Sequence, residues 1–325
     1  MGVSSRRSRP VRVAGRMVLD RIRTGSWRAP TAWAIGIYQG DSPFEMVPYN
    51  GNPVLRAQDV SDIHAEFVAD PFMVRWDGCW HMFFEVLNSA RGLGEIGAAT
   101  SRDGFEWRYE QIVLSADHHL SYPFVFVHED RFYMIPEESE LSAIRIYSAI
   151  DLLGPWEVRH VVAEGLPYED ASLIRHKGRW WIFASVSNST RTKVFAFSSD
   201  ELESGWQRHP IVHEYGLVGR PGGRPVVHDG RLIRFVQEST NVYGEAVQAF
   251  EITHLDATDF CEQPVGGRLL EGSGVGWNAA RMHTFDAHLT EAGSFLACLD
   301  GRGYSSAVDR FARLPGVHLR PYGSP

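Results

Sequence analysis

Cysteine is scarce: the 325 residues contain three, Cys79, Cys261 and Cys298. An odd count, with two of them in apolar strand-like runs, argues against a disulfide framework and makes a reducing cytoplasm the expected location. No apolar run approaches the roughly 20 residues of a membrane-spanning helix, and the N-terminus lacks the uninterrupted apolar segment of a secretory leader. Phosphate-cradling glycine loops, Cys/His zinc spacings and a Gly-x-Ser-x-Gly elbow are all missing, so none of those chemistries is signalled. Gly219 to Gly223 is glycine-rich but does not match a nucleotide loop. Charge is unevenly spread. Residues 1–30 hold eight Arg and one acid, a local +7 that leaves −15 for residues 31–325 out of an overall −8. The first 30 residues are therefore read as a basic arm, solvated or in contact with an acidic partner. The acidic remainder argues against nucleic-acid binding and suits a site built from carboxylates.

What the chain does have is a repeated sentence. Ala69-Asp70-Pro71-Phe72-Met73-Val74-Arg75-Trp76-Asp77-Gly78 and the return through Glu85 come back as Ser121 to Glu137 and again as Glu169 to Ser185. Weaker copies run from Gly222 to Gln237 and from His283 to Asp300. Each copy reads as two β-rich runs about a turn, at Asp77-Gly78, Glu129-Asp130, Lys177-Gly178, Asp229-Gly230 and Ala292-Gly293. A period of roughly fifty residues made of such hairpins is the signature of a radial β-repeat. Third strands are expected over 96–100, 144–148, 194–198 and 247–252, and fourth strands around Trp107, Trp156 and Trp206. The fold expected is all-β, a five-bladed propeller of four-stranded antiparallel blades over residues 31–325. The last copy lacks its outer strands. Residues 33–38 and 53–57 are candidates to supply them and close the ring, which would remove an exposed sheet edge. Residues 301–325 read as a tail on the outside.

The repeat alignment is also a chemical argument. Asp70 precedes the second residue of its turn by the spacing at which Tyr122, Asp170 and Gly222 precede theirs, and Glu85, Glu137, Ser185, Gln237 and Asp300 follow it at a common spacing. The hairpins should bring these pairs together at one end, and rotation of the blades should gather Asp70, Glu85, Glu137, Asp170, Glu238 and Asp300 on one face near the axis. Acids so clustered repel and should raise one another's pKa values; singly, each could instead cap an amide or pair with Arg. Arg220 and Arg224 could read an anionic substituent on a ligand or hold the acids together. Trp277 and Asn278 could stack on and hydrogen-bond a sugar, or pack in the core. Asp286 and His288 share a strand face, with His283 on the other. His118-His119 reads as a solvated loop pair.

Residues 60–301 resemble the five-bladed glycoside hydrolases related to family 43, through Ala69-Asp70-Pro71-Phe72, Glu169-Asp170-Ala171-Ser172 and the fivefold repeat. Ser121-Tyr122-Pro123-Phe124, the run from Arg220 to Pro225, Tyr243-Gly244 and His283-Thr284-Phe285-Asp286 are similar to the propeller module of glucosamine inositolphosphorylceramide transferases. The first resemblance implies a general base at Asp70 and, at Asp170, a residue that tunes the pKa of the acid. The general acid it implies in blade four falls on Gly222, so Glu137 or Glu238 would have to donate the proton. Glycosidic cleavage needs such a pair, roughly 6.5–9.5 Å apart when water attacks directly. The resemblance thus implies a carbohydrate-active enzyme on a sugar-containing substrate, with Asp70, Glu137 and Asp170 catalytic and Glu85, Tyr122, Arg220, Arg224, Glu238, Trp277, Asn278, His283, Asp286 and Asp300 around the substrate. A non-catalytic glycan-binding propeller and a tailoring enzyme using other acid–base chemistry are the alternatives. No cofactor is required by this reading; an axial Ca²⁺ beside a last-blade His is the one ion the resemblance implies.

Overall fold

The computed structural model describes residues 30–304, so the basic arm (but for Pro30) and residues 305–325 lie outside the described residues. The chain forms five four-stranded antiparallel blades in a ring. Blade one comprises Ala65–Trp76, Cys79–Asn88, Leu93–Ser101 and Arg108–Leu114, from axis to rim. Blade two comprises Ser121–His128, Arg131–Glu137, Ala143–Ala149 and Glu157–Glu164. Blade three comprises Glu169–His176, Arg179–Ser187, Thr192–Ser199 and Gln207–Tyr215. In blade four the inner strand is split into Val218–Pro221 and Val226–His228, followed by Arg231–Glu238, Ala246–Leu255 and Phe260–Glu271.

The hairpin turns follow from the dipeptides that make them. Asp77 and Gly78 have φ of 47° and 75°, Lys177 and Gly178 49° and 83°, Asp229 and Gly230 50° and 73°. Glu129 and Asp130 take the same pair of left-handed conformations without a glycine. Two consecutive positive φ values make the two-residue turn whose twist matches that of the strands it joins. Trp107, Trp156 and Trp206 stand just before the outer strands rather than in them. The indoles of Trp107 and Trp206 donate back to the carbonyls of Gly104 and Leu202, at 3.0 and 2.8 Å. Apolar clusters fill the spaces between successive blades, with Phe72, Phe83, Phe124 and Ile182 in the largest.

Blade five joins the two ends of the described chain. Phe285–Leu289 and Phe295–Tyr304 are its inner strands, and Pro30–Ser42 and Glu45–Pro48 complete the sheet. Closure by residues 33–38 is therefore as expected, but the rim strand is Glu45–Pro48. Leu55 makes only an isolated bridge to Ile35, and Ala57 begins a short 3-10 turn. Residues 301–304 continue the second strand of the blade instead of starting a tail.

Two glycines set the seam between blades four and five. Phe285 N–H donates to the Gly222 carbonyl at 2.8 Å, and a Cβ on Gly223 would lie 1.8 Å from the Phe285 oxygen. Only a residue without a side chain allows that approach. Beside it, Arg224 ties four blades. Its guanidinium donates to Asp286 Oδ1 at 2.6 Å and to the carbonyls of Val125 and Met73 at 2.7 and 3.4 Å. The guanidinium carbon lies 4.5 Å from the Phe124 ring centroid. Asp286 is fully buried and also accepts from Met73 N–H and His288. Arg224→Ala is expected to destabilise the ring by about 3–5 kcal/mol, the cost of stranding a buried charge, seen as a lower urea midpoint; an unchanged midpoint would show that Arg224 is not a strut.

Candidate functional site

The site begins with an irregularity repeated in three inner strands. Asp70, Tyr122 and Asp170 occupy the same repeat position and have φ of 50°, 46° and 51°. The ladder register slips at each, so that Ala69, Ser121 and Glu169 pair with Glu85, Glu137 and Ser185. A left-handed conformation is uncommon for a residue with a side chain, and strongly so for tyrosine. Such a bulge leaves its amide outside the ladder and re-aims the side chain. In two blades the freed amide finds a carboxylate of the preceding blade. Asp70 N–H donates to Asp300 at 3.0 Å, and Asp170 N–H donates to Glu137 at 3.2 Å.

Around Asp70 lies a buried set from blades one and five. Thr284 Oγ1 donates to Asp70 Oδ1 at 2.6 Å, and His283 Nδ1 stands 3.9 Å from the same oxygen. Asp300 is saturated: His283 N–H and Thr284 N–H share Oδ1, while His283 Nδ1 lies 2.7 Å from Oδ2. His283 is stacked on Trp33, with ring centroids 4.2 Å apart. Asp70 differs from its neighbour in keeping Oδ2 free of any donor among the described residues.

Around Asp170 the organiser is Arg220. Its Nε and Nη2 grip Asp170 at 2.5 and 3.1 Å, Nη2 also reaches Glu137 at 2.9 Å, and Nη1 lies 3.4 Å from Glu169. The Gln237 side-chain amide donates a hydrogen bond to Asp170 Oδ2 at 2.5 Å. Glu137 accepts from Arg220, from Asp170 N–H and from Ser139 at 3.0 Å, so its contacts hold it as an acceptor. One guanidinium among three carboxylates leaves this cluster net negative.

The ionisation follows from burial and pairing. Burial, before any repulsion between the acids, raises Asp70 to about 7 and Asp170 to about 8, and Arg220 opposes the second shift. His283 is raised to about 9: burial lowers it, but Asp300 and Asp70 outweigh that. Asp300 and Asp286 move the other way, the first through His283, the second to about 2 through Arg224 and His288, in each case against the burial that would raise them.

Several residues expected at a ligand serve other contacts. Tyr122 is fully buried, its hydroxyl within 2.8 Å of Ser172 Oγ and 2.7 Å of Gly223 N. Glu238 points off the other side of its strand to Arg268, at 2.6 Å, while its neighbour Gln237 faces Asp170. Trp277 packs against Gly36 and Gly301, and Asn278 donates to the Tyr38 hydroxyl at 3.0 Å. Arg224 pairs with Asp286 and Arg220 with its carboxylates, the acid-holding arrangement expected as one of the two roles for these arginines. Nor are His118 and His119 a solvated pair. They lie 2.8 and 3.1 Å from Glu138 and Glu85, clamping the link between blades one and two. Burial lowers the His119 pKa, yet Glu85 outweighs it and holds His119 at about 9. Thr284, Trp33 and Tyr243 carry no spacing signal and join the site only through the ring, whereas Gln237 stands at the spacing shared with Glu85, Glu137 and Asp300.

Asp70, His283 and Asp300 have potential ligand atoms within 4.8 Å of one another. Ca²⁺ takes six to eight oxygens. Two carboxylates and an imidazole already bonded to one another do not provide that set, so the axial calcium does not fit these residues.

Residues 28–302 match the family model described as glucosamine inositolphosphorylceramide transferase 1, N-terminal. The rice (Oryza sativa subsp. japonica) protein named glucosamine inositolphosphorylceramide transferase 1 is 32% identical over 299 residues, and the Arabidopsis thaliana protein of that name 31% over 312. The matches cover 83% and 87% of this chain but 40% of each relative, so the chain spans less than half their length. Among solved structures, β-1,2-mannobiose phosphorylase from Listeria innocua superposes with a TM-score of 0.59 at 13% identity, over 81% of this chain and 96% of that one. A thermostable family-43 glycoside hydrolase gives 0.53 at 12%, over 79% and 96%. These likenesses concern the fold. By its sequence, the chain belongs to the family of glucosamine inositolphosphorylceramide transferase 1 N-terminal regions.

Proposed function

We propose that the chain is a carbohydrate-active propeller that holds a sugar-containing substrate at the end of the ring carrying Asp70, and that Asp70 is the group that takes up a proton there. The observation that carries the reading is the contrast among the gathered acids. Asp286, Asp300, Glu137 and Asp170 are committed to donors, whereas Asp70 and Glu85 each keep one oxygen free of a donor among the described residues, and Asp70 has a pKa near neutrality, about 7. A general base works best when its pKa lies near the operating pH. The names of the matched relatives, glucosamine inositolphosphorylceramide transferases, support a sugar as the object of this module.

One specific observation favours a second reading, a glycan-binding propeller without turnover. Blade four offers Gly222 where the hydrolases' acid would stand, and Arg220 holds Glu137 and Asp170 as acceptors. A Cβ at Gly222 would meet Gln237 N at 3.0 Å and the His283 carbonyl at 3.1 Å, so the backbone leaves little room for an acid there.

A screen of nitrophenyl glycosides separates the two. Turnover that Asp70→Asn lowers by about a hundredfold or more, with sugar binding retained, supports the catalytic reading; binding without turnover in the unmodified protein supports the second. On the first reading turnover also rises as pH passes about 7, where Asp70 loses its proton.

The same groups set stability. Asp70, Asp170 and His283 all hold protons to higher pH when folded than when unfolded. The folded state therefore binds more protons between about pH 4 and 9, and stability falls across that window. The urea midpoint should be lower at pH 9 than at pH 6, with a smaller drop in Asp70→Asn; equal drops in the two proteins would contradict the assignment for Asp70.

A further inference from the structure

Among the described residues, one large aromatic residue is partly open to solvent, although its hydroxyl is turned into the site, where burial, ahead of the nearby carboxylates, raises its pKa well above the usual phenol value. Tyr243 is 40% exposed, and the other exposed large hydrophobic residues are aliphatic. It lies on the loop between the second and third strands of blade four, at the candidate site. Its ring meets His283 edge-on, with centroids 5.4 Å apart at 85°, and the Arg220 guanidinium carbon lies 5.9 Å from its centroid. The same residue thus adjoins both halves of the site, the His283 set with Asp70 and the Arg220 set with Asp170.

The loop holds this ring rigidly. Gly244, with φ of 66°, lies flush on His283, where a Cβ would come within 2.8 Å of the imidazole. Gly244 N–H donates to Ser239 Oγ at 3.0 Å, and Glu245 accepts from Asn241 N–H and side chain at 3.0 Å and from Arg268 at 2.6 Å. An exposed aromatic costs hydration, and a preorganised one loses little further entropy when a ligand covers it. Sugars present just such a ligand surface: their axial C–H groups form an apolar face, and hydroxyls ring the edge.

We propose that Tyr243 is the sugar-stacking platform of the site, packing the exposed part of its ring on the C–H face of a neutral or amino sugar whose hydroxyls reach towards Arg220 and the surrounding carboxylates. The net negative charge around Arg220 disfavours a uronic acid or sugar phosphate in that place. This assignment rests on the carbohydrate reading above and identifies the residue that recognises the ring.

The test uses the full chain and a panel of methyl pyranosides (glucoside, galactoside, mannoside, glucosaminide and glucuronide) in saturation-transfer NMR and titration calorimetry. At least one neutral or amino glycoside is expected to bind, and the glucuronide to bind more weakly. Tyr243→Ala should weaken binding about tenfold or more, Tyr243→Phe should stay within about threefold, and Ile150→Ala, an exposed residue on blade two, should leave it unchanged. Melting curves of the variants establish that the ring is intact. Affinity unaltered by Tyr243→Ala, or loss in Tyr243→Phe as great as in Tyr243→Ala, overturns the stacking role while leaving the carbohydrate reading in place. A folded, unmodified protein that binds none of the panel overturns both.

Discussion

A backbone amide turned out of its sheet must find an acceptor, and the axis of this protein is organised around that need. The left-handed residues at Asp70, Tyr122 and Asp170 lift the inner strands off their ladders where the blades converge. A buried N–H without a partner costs about as much as a lost hydrogen bond or more. Blades one and three meet the cost with a carboxylate from the blade before, Asp300 and Glu137. Acids therefore collect at the centre first as acceptors for displaced backbone. The chemistry open to the site is what remains after that duty is met.

Placing charge in a nearly dry axis is costly unless each group is matched, and the two arginines solve the problem differently. Arg224 is matched to one buried carboxylate and two carbonyls, an arrangement that joins blades and leaves nothing over. Arg220 faces three carboxylates that outnumber it, so its neighbourhood stays negative although each contact is favourable. His283 sits between two aspartates and, together with the Thr284 and Asp70 amides, saturates Asp300. The unequal pairing is what singles out Asp70, and it could not be inferred from the number of acids present.

Much of the ring is written locally. Asp77-Gly78 and its counterparts advertise their turns, and the constant spacing from turn to acid makes the gathering of Glu85, Glu137 and Asp300 readable before any coordinates. The bulges are not readable, because aspartate and tyrosine carry no mark of positive φ as glycine would. Glu238 shows a period-two rule that was available: it follows Gln237, so the two side chains must leave opposite faces of the strand. The rim strand Glu45–Pro48 has too little β-propensity to announce itself, and residues 53–57, with no more, make a single bridge. Tyr243, Thr284 and His119 depend on neighbours far along the chain, His283, Asp70 and Glu85 respectively, which no local pattern encodes.

The composite fifth blade has a bearing on how the molecule is made. Pro30–Ser42 leaves the ribosome early, yet its sheet neighbour Phe295–Tyr304 is among the last described segments to be synthesised. Until then this strand, with Ile35 and Ile37 destined for full burial, is paired on its Glu45–Pro48 side alone and keeps its other edge open while four complete blades assemble beside it. Contacts of such long sequence separation form slowly and leave sticky surface exposed in the interval. Ring closure therefore waits on the last of the described strands, and the seam of blade five is the part of an incomplete chain that stays unsealed longest.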